Sequence, residues 1–387
     1  MSTPSLTLLT RRRELLKRAG VVVLAVLALA LPIVAPDPAT TNLAVFTMMY
    51  VGLATAWNIM GGYTGYISLG HAAFFGFGSY SLGLMLNHFN ITPGYAPFLL
   101  VPVAGLIAAV VAAGIGWVAL RTRAATFVIV TIAFMFICQL LAENLVNLTG
   151  GGGGLSFPVA PDWTGDFFNK PFYYAMLVLA ALALAVSWSI RRSKFGLGLL
   201  AIRDDEDKAL AVGVPTRVFK LTAFIISGAL VGMIGAVYGY YVTYIYPQFV
   251  FDPLIGISMV LMAFLGGLGT LAGPVLGALI LEPAQLQFAY RLGASRLYLV
   301  FYAAVFLVVI LLLPRGIVPS VTDLIGRWRR RRDAERRAHV KNPPPRPSPA
   351  RGEGESANPP HKGEGESANP PHKGEGESVN PAERPLA

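Results

Sequence analysis

The sequence predicts an all-α, polytopic membrane protein of about ten transmembrane segments, with a Gly-rich discontinuous helix and a disordered C-terminal tail. Three observations carry that prediction. Apolar residues make up 54% of the chain and charged residues 13%, and mean hydropathy is +0.57 although the last fifty or so residues are strongly polar; what remains is too apolar for a water-soluble domain. Runs of roughly 20 apolar residues, the length that crosses about 30 Å of hydrocarbon, recur between Val21 and Pro314. The net charge of +10 is concentrated in a few short connections between those runs. Such clustering reads as membrane orientation and not as a nucleic-acid surface.

Residues 1–19 form a basic N-terminus in which Arg11, Arg12, Arg13, Lys17 and Arg18 precede the apolar run Val21–Leu31. The layout is like a signal peptide, but no small-residue cleavage site follows and Pro32, Pro36 and Pro38 end the run. It is read as an uncleaved first span with its basic end in the cytoplasm. Further apolar segments lie at about 41–60, 70–87, 96–120, 124–147, 171–190, 219–246, 255–267, 273–287 and 297–314. Gly266, Gly267, Gly269, Gly273 and Pro274 interrupt the pair at 255–287, leaving it open as two short helices or a re-entrant hairpin.

Alternating from a cytoplasmic start puts Arg121, Arg123, Arg191, Arg192, Lys194, Arg203, Lys208, Arg217, Lys220 and Arg315 on the inside, against Lys170, Arg291 and Arg296 outside. That asymmetry predicts a membrane domain over 20–315, a cytoplasmic loop at 191–220 and both termini in the cytoplasm. Residues 316–387 are basic at first, then low in complexity. Gly352–Lys362, GEGESANPPHK, recurs as Gly363–Lys373 and in degraded form from Gly374, a composition that cannot bury enough apolar surface to order the chain.

No catalytic residue, metal site or cofactor is expected. Cys138 is the one cysteine, so neither a disulfide within the chain nor a multi-cysteine metal site can form. The run Gly150–Gly154 is followed by Leu155 and Ser156, without the lysine of a phosphate-binding loop. ATP hydrolysis, if it drives transport, belongs to a partner. A gradient-driven carrier needs ionisable groups in the membrane, and the candidates are His71, Glu143 and Glu282. The two carboxylates are placed near span ends. His71 reads equally as a core imidazole or a solute contact.

Two segments stand out. In Gly61–Tyr80, glycines at 61, 62, 65 and 70 permit a break or a tight turn between two spans. Asn58, Thr64 and Ser68, with Gly62, Gly65 and His71, offer a polar pathway for a zwitterionic solute or, by composition alone, a small-residue packing seam. In Ser193–Val214, Leu199, Ile202, Ala209 and Val212 fall near helical spacing, and Asp204–Asp207 separate two short amphipathic pieces. Acidic residues disfavour adhesion to an anionic membrane, so a protein partner is the better reading.

Together these segments resemble the branched-chain amino-acid permease family of ABC importers, its LivM branch more than its LivH branch, with the urea permeases as relatives. Gly65–Tyr80, Ser193–Gly213 with its Ala201-Ile-Arg-Asp-Asp-Glu206 centre, Lys220–Gly228 and Gly266–Ala278 carry the resemblance, over about residues 40–315. It implies that Ser193, Gly196, Ala201, Arg203, Glu206, Ala209 and Gly213 belong to a coupling loop that docks on an ATPase. It also implies a second, LivH-like permease subunit, two ABC ATPase subunits, a soluble solute-binding protein and a bacterial or archaeal inner membrane. The family commonly has an acidic residue about ten positions before the Gly-Gly pair; here Ile257 and its neighbours supply none and Asp252 is the nearest. Leucine, isoleucine and valine are the implied cargo, with urea or short amides as the alternative within the class and proton-coupled transport as the alternative outside it.

Overall fold

The computed structural model describes residues 26–34, 37–163, 165–292, 304, 307 and 316–324, all within the compact unit Met1–Arg331. The repeats of the tail lie outside the described residues, as does nearly all of the segment expected at 297–314. Ten helices organise the rest: α1 (Pro38–Thr64), α2 (His71–His88), α3 (Val101–Ala119), α4 (Ala124–Asn144), α5 (Asn169–Arg192), α6 (Lys194–Asp204), α7 (Glu206–Ala211), α8 (Thr216–Val242), α9 (Pro253–Gly266) and α10 (Gly273–Leu292). Residues 26–34 and 317–324 are also helical.

The helix boundaries follow local chemistry. Asp37 caps α1 by accepting from the Thr40 amide, with Pro38 in the first turn. Gly65, at φ 77°, ends that helix in the left-handed conformation that glycine adopts without penalty. Ser193 and Asp205 cap α6 and α7 through Gly196 N–H and Lys208 N–H, and Asp252 caps α9 through Leu254 N–H. Residues 65–70 are a non-helical connection between α1 and α2, at the position where the glycines permit a break or tight turn. A further departure from all-α is a minimal antiparallel pair, Leu155–Ser156 against Tyr244–Ile245.

Six helical stretches among the described residues are long and apolar enough to cross a membrane: Pro38–Thr64, Ala96–Ala119, Ala124–Asn144, Asn169–Arg192, Thr216–Val242 and Pro247–Gly266. Their burial separates centre from periphery. The most apolar window of α1 is 83% buried and that of α8 61%, against 22% for α4. Helices α1 and α8 therefore form the core, and α4 turns most of its apolar surface outward, as a lipid-facing helix does. Trp57, Tyr63, Phe74, Phe75, Phe127 and Phe224 fill the centre. Trp117 and Trp188 are exposed, and Arg121 and Arg192 each lie 4.2 Å over one of those rings, an arrangement suited to the membrane–water boundary.

The pair at 255–287 is resolved as two helices, α9 and α10, joined by a short turn with Gly267 at φ 124° and Gly269 at φ 71°. Their backbones nearly touch, since a Cβ on Gly266 would overlap the Gly273 carbonyl. This turn matters for the site because it reaches back to α1 and α5.

Candidate functional site

Three connections meet at one end of the bundle: residues 65–70 after α1, the loop 193–215 carrying α6 and α7, and the turn 267–272. Joining the first two is Lys220, in the first turns of α8 and only 3% exposed. Its ammonium lies 2.5 Å from Glu206 Oε1 and 3.0 Å from Tyr66 Oη, and 4.2 Å over the Tyr66 ring. The Tyr66 hydroxyl donates to the other Glu206 oxygen, Oε2. One lysine therefore holds the acidic loop to both a core helix and the Gly-rich connection.

The electrostatics follow from that closure. Burial alone pushes the Glu206 carboxyl up, but hydrogen bonds from Lys220 and Tyr66 outweigh it and hold the group below the usual carboxylate range. Burial and the adjoining carboxylate push the Tyr66 phenol well above its ordinary value.

Two arginines add a second layer. Arg203 donates from Nη1 to the Gly62 carbonyl at 2.8 Å, and its side chain packs beside Gly65. Arg191 donates to the Gly269 carbonyl at 2.5 Å. Asn58 completes the link: its amide donates to Thr270 O at 3.0 Å and its Oδ1 accepts from Gly269 N–H at 2.9 Å. A side chain at Gly62 would overlap Asn58, and one at Gly269 would overlap Arg203.

The six residues expected along a solute pathway thus fall in or next to this brace. Asn58, Thr64, Ser68 and His71 are at most 1% exposed. Thr64 Oγ1 donates to Met60 O and accepts from Tyr66 N–H, shaping the turn. Ser68 gives its carbonyl to Trp57 Nε1–H at 2.8 Å. His71 sits deeper: Nε2 is 2.8 Å from Ser227 Oγ. That hydroxyl donates its one proton to Ala56 O, so Nε2 carries the imidazole proton and donates it to Ser227. Phe74 and Phe224 flank the ring edge-on at 5.6 and 5.5 Å. His71→Ala is expected to lower stability by about 2 kcal/mol through the cavity and the lost hydrogen bond to Ser227. Thermal unfolding in detergent checks this, with apparent solute affinity expected to stay unchanged.

On the loop, Gly196 and Ala209 are buried; Ser193, Ala201 and Glu206 are partly buried; Arg203 and Gly213 are exposed. Leu199 and Ile202 pack inward, but Val212 is 79% exposed and joins Leu197 and Leu210 on the outer surface. Gly213, at φ 90°, follows the short helix and turns the chain toward α8. Of the candidate membrane charges, Glu143 lies in the last turn of α4 and accepts from Gln139. Glu282 is not near a helix end as expected. It lies midway along α10 and is 3% exposed, beside the helix-interior Pro283.

Sequence reasoning missed Tyr66 and the role of Lys220. A lysine at the mouth of an apolar run, with a carboxylate in the preceding loop, was the available signal. No cluster of metal-ligating side chains exists among the described residues.

These features define a multi-pass α-helical membrane protein in which a short amphipathic loop is braced onto the ends of the core helices. The chain belongs to the family described as the permease component of the branched-chain amino acid transport system, whose family model matches residues 39–310. It is 30% identical over 286 residues to the high-affinity branched-chain amino acid transport system permease protein LivM of Escherichia coli (strain K12), covering 67% of this chain and 66% of that protein. LivM of Salmonella typhimurium is likewise 30% identical, with 67% and 65% covered. LivH of Salmonella typhimurium is 26% identical over 285 residues, 70% of this chain and 91% of that one. The chain thus spans just under two thirds of the LivM proteins' length. No solved structure matches.

Proposed function

We propose that the chain is a transmembrane permease subunit of an ABC importer for branched-chain amino acids. It forms the translocation pathway with a second, LivH-like permease and takes its energy from two separate ATPase subunits, and a soluble binding protein delivers the solute. The observation that carries this reading is the Glu206–Lys220–Tyr66 network. It fixes the 193–215 loop to core helix α8 and to the end of α1, so a push on the loop reaches the bundle and is not lost in a flexible connection. Leu197, Leu210 and Val212 on the outer surface of that loop supply an apolar contact for a partner. Ser193, Gly196, Ala201, Arg203, Glu206, Ala209 and Gly213 are its coupling residues. In this reading Asn58, Gly62, Thr64, Gly65, Ser68 and His71 serve transport by positioning that loop against the pathway helices.

Ten segments with both termini in the cytoplasm put the loop on the ATPase side of a bacterial or archaeal inner membrane. Gly316 lies against Gly267 in the turn of the same brace, which supports a shared side for the loop and the end of the membrane domain. The names of the relatives favour branched-chain amino acids over urea or short amides.

The test is co-purification of the tagged chain with its genomic neighbours, followed by ATPase assays with binding protein loaded with leucine, urea or nothing. Stimulation by the leucine-loaded protein is expected. Purification without any ATPase sinks the importer reading, and stimulation by urea alone reassigns the cargo.

A further inference from the structure

A second site lies at the opposite end of the bundle. Helices α3 and α8 pack directly against each other, but α5 stands off from α3 along its first half, and the gap is a groove of about 590 Å³. Its floor is apolar and buried, formed by Val101, Leu179 and Val237. Its rim is apolar and open, with Val178 at 65%, Leu182 at 40% and Tyr95 at 63% exposed. At one end stands Lys170, in the first turn of α5. Among the described residues Lys170 has no carboxylate partner.

The dimensions match one leaflet of a bilayer. From Lys170 to Leu182 the helix rises about 18 Å at 1.5 Å per residue, close to half of the roughly 30 Å hydrocarbon thickness. The groove therefore runs from the level of the headgroups to near the midplane. Trp163 and Tyr95, their rings 5.1 Å apart, mark its polar end, as interfacial aromatics do. A lysine there keeps its charge at the headgroups while its stem lies along the apolar wall.

We propose that this groove is a phospholipid site: one acyl chain lies between α3, α5 and α8, and the Lys170 ammonium meets the phosphate. Charge complementarity selects a phospholipid over a neighbouring protein helix, because an apolar helix brings no anion to Lys170 at that depth. The site lies on a different face and end of the molecule from the Lys220 brace and does not depend on which solute is carried.

The experiment is native mass spectrometry of the detergent-solubilised full chain, with whatever subunits accompany it, after lipid removal and titration with dioleoyl phosphatidylglycerol or with dioleoylglycerol, which has no phosphate. The wild type is expected to retain one phosphatidylglycerol. Lys170→Glu is expected to weaken that binding about tenfold, the factor for one charge-assisted hydrogen bond, and to leave dioleoylglycerol binding unchanged. Val178→Trp, which fills the groove, is expected to abolish both, whereas Leu106→Trp on an exposed face of α3 changes neither. Unchanged elution volume and thermal midpoint establish that each variant is folded. Equal phosphatidylglycerol retention by the wild type and both groove variants overturns the proposal. So does a Val178→Trp variant that keeps its lipid and loses a protein subunit, since the groove is then a subunit interface.

Discussion

Glu206→Ala is expected to destabilise the detergent-solubilised chain by about 3 kcal/mol, more than its position in a surface loop implies, because it leaves a buried cation without its counter-charge. Lys220 is 3% exposed, and after the substitution only the Tyr66 hydroxyl and ring remain to it. The converse variant, Lys220→Met, should cost less. The Glu206 side chain is 31% exposed, so its carboxylate can turn to water. The double variant should regain most of the loss, and thermal unfolding of all four proteins measures the coupling. Simple additivity of the two single losses would remove the ion pair from its bracing role. In the proposed importer, leucine-stimulated ATP hydrolysis should fall with Glu206→Ala even below its melting range, where the loop is loosened and the bundle is intact.

The same pair has a pH signature whose sign follows from Glu206. Its folded carboxyl titrates below the usual range because Lys220 and Tyr66 outweigh the effect of burial. The stabilisation is therefore complete above the unfolded value of about 4.3 and is lost as pH falls through the lower, folded value. The stability gap between the wild type and the Glu206→Ala/Lys220→Met double variant should accordingly close in acid and stay constant from neutral pH down to about pH 5.

Gly78→Val is expected to cost about 3 kcal/mol or more, at the upper end of overpacking losses, and to deplete folded protein after solubilisation. Helices α2 and α8 meet backbone to backbone there: a Cβ on Gly78 would overlap the Gly232 carbonyl, and one on Gly235 would overlap that of Phe75. Ser79 Oγ seals the seam by donating to Gly235 O at 2.6 Å. Neither partner can yield, because each strained contact is main chain within a long core helix. Gly114→Val, where nothing lies within 4 Å, controls for insertion and should be close to neutral. If size-exclusion profiles and melting curves of the two variants match, the seam is looser than described.

The expected segment limits fell close to the observed helices because each depends on local quantities. Apolar content sets where a span lies, and Asp37, Gly65, Ser193 and Asp252 mark ends through hydrogen bonds to residues within a turn. The Gly-rich connection and the acidic loop were legible as unusual for the same reason. That they form one site was not legible. Tyr66 and Glu206 are 140 residues apart, Asn58 and Gly269 211, and His71 and Ser227 156. Glu282 was misplaced because burial depends on which neighbour covers a residue, and periodicity carries no information about the neighbour.

By itself, the sequence determined that this protein lives in a membrane, roughly where its helices run and which family pattern it carries, since transfer of apolar residues into hydrocarbon is nearly additive along the chain. Only the tertiary structure decided that Lys220 is the hub of a brace, that Asn58 ties two turns together, and that three helices leave a groove beside Lys170. Those outcomes depend on how helices cross: a few ångströms of approach, set by glycines such as Gly78 and Gly232, determine which buried polar groups find partners and which surfaces stay open.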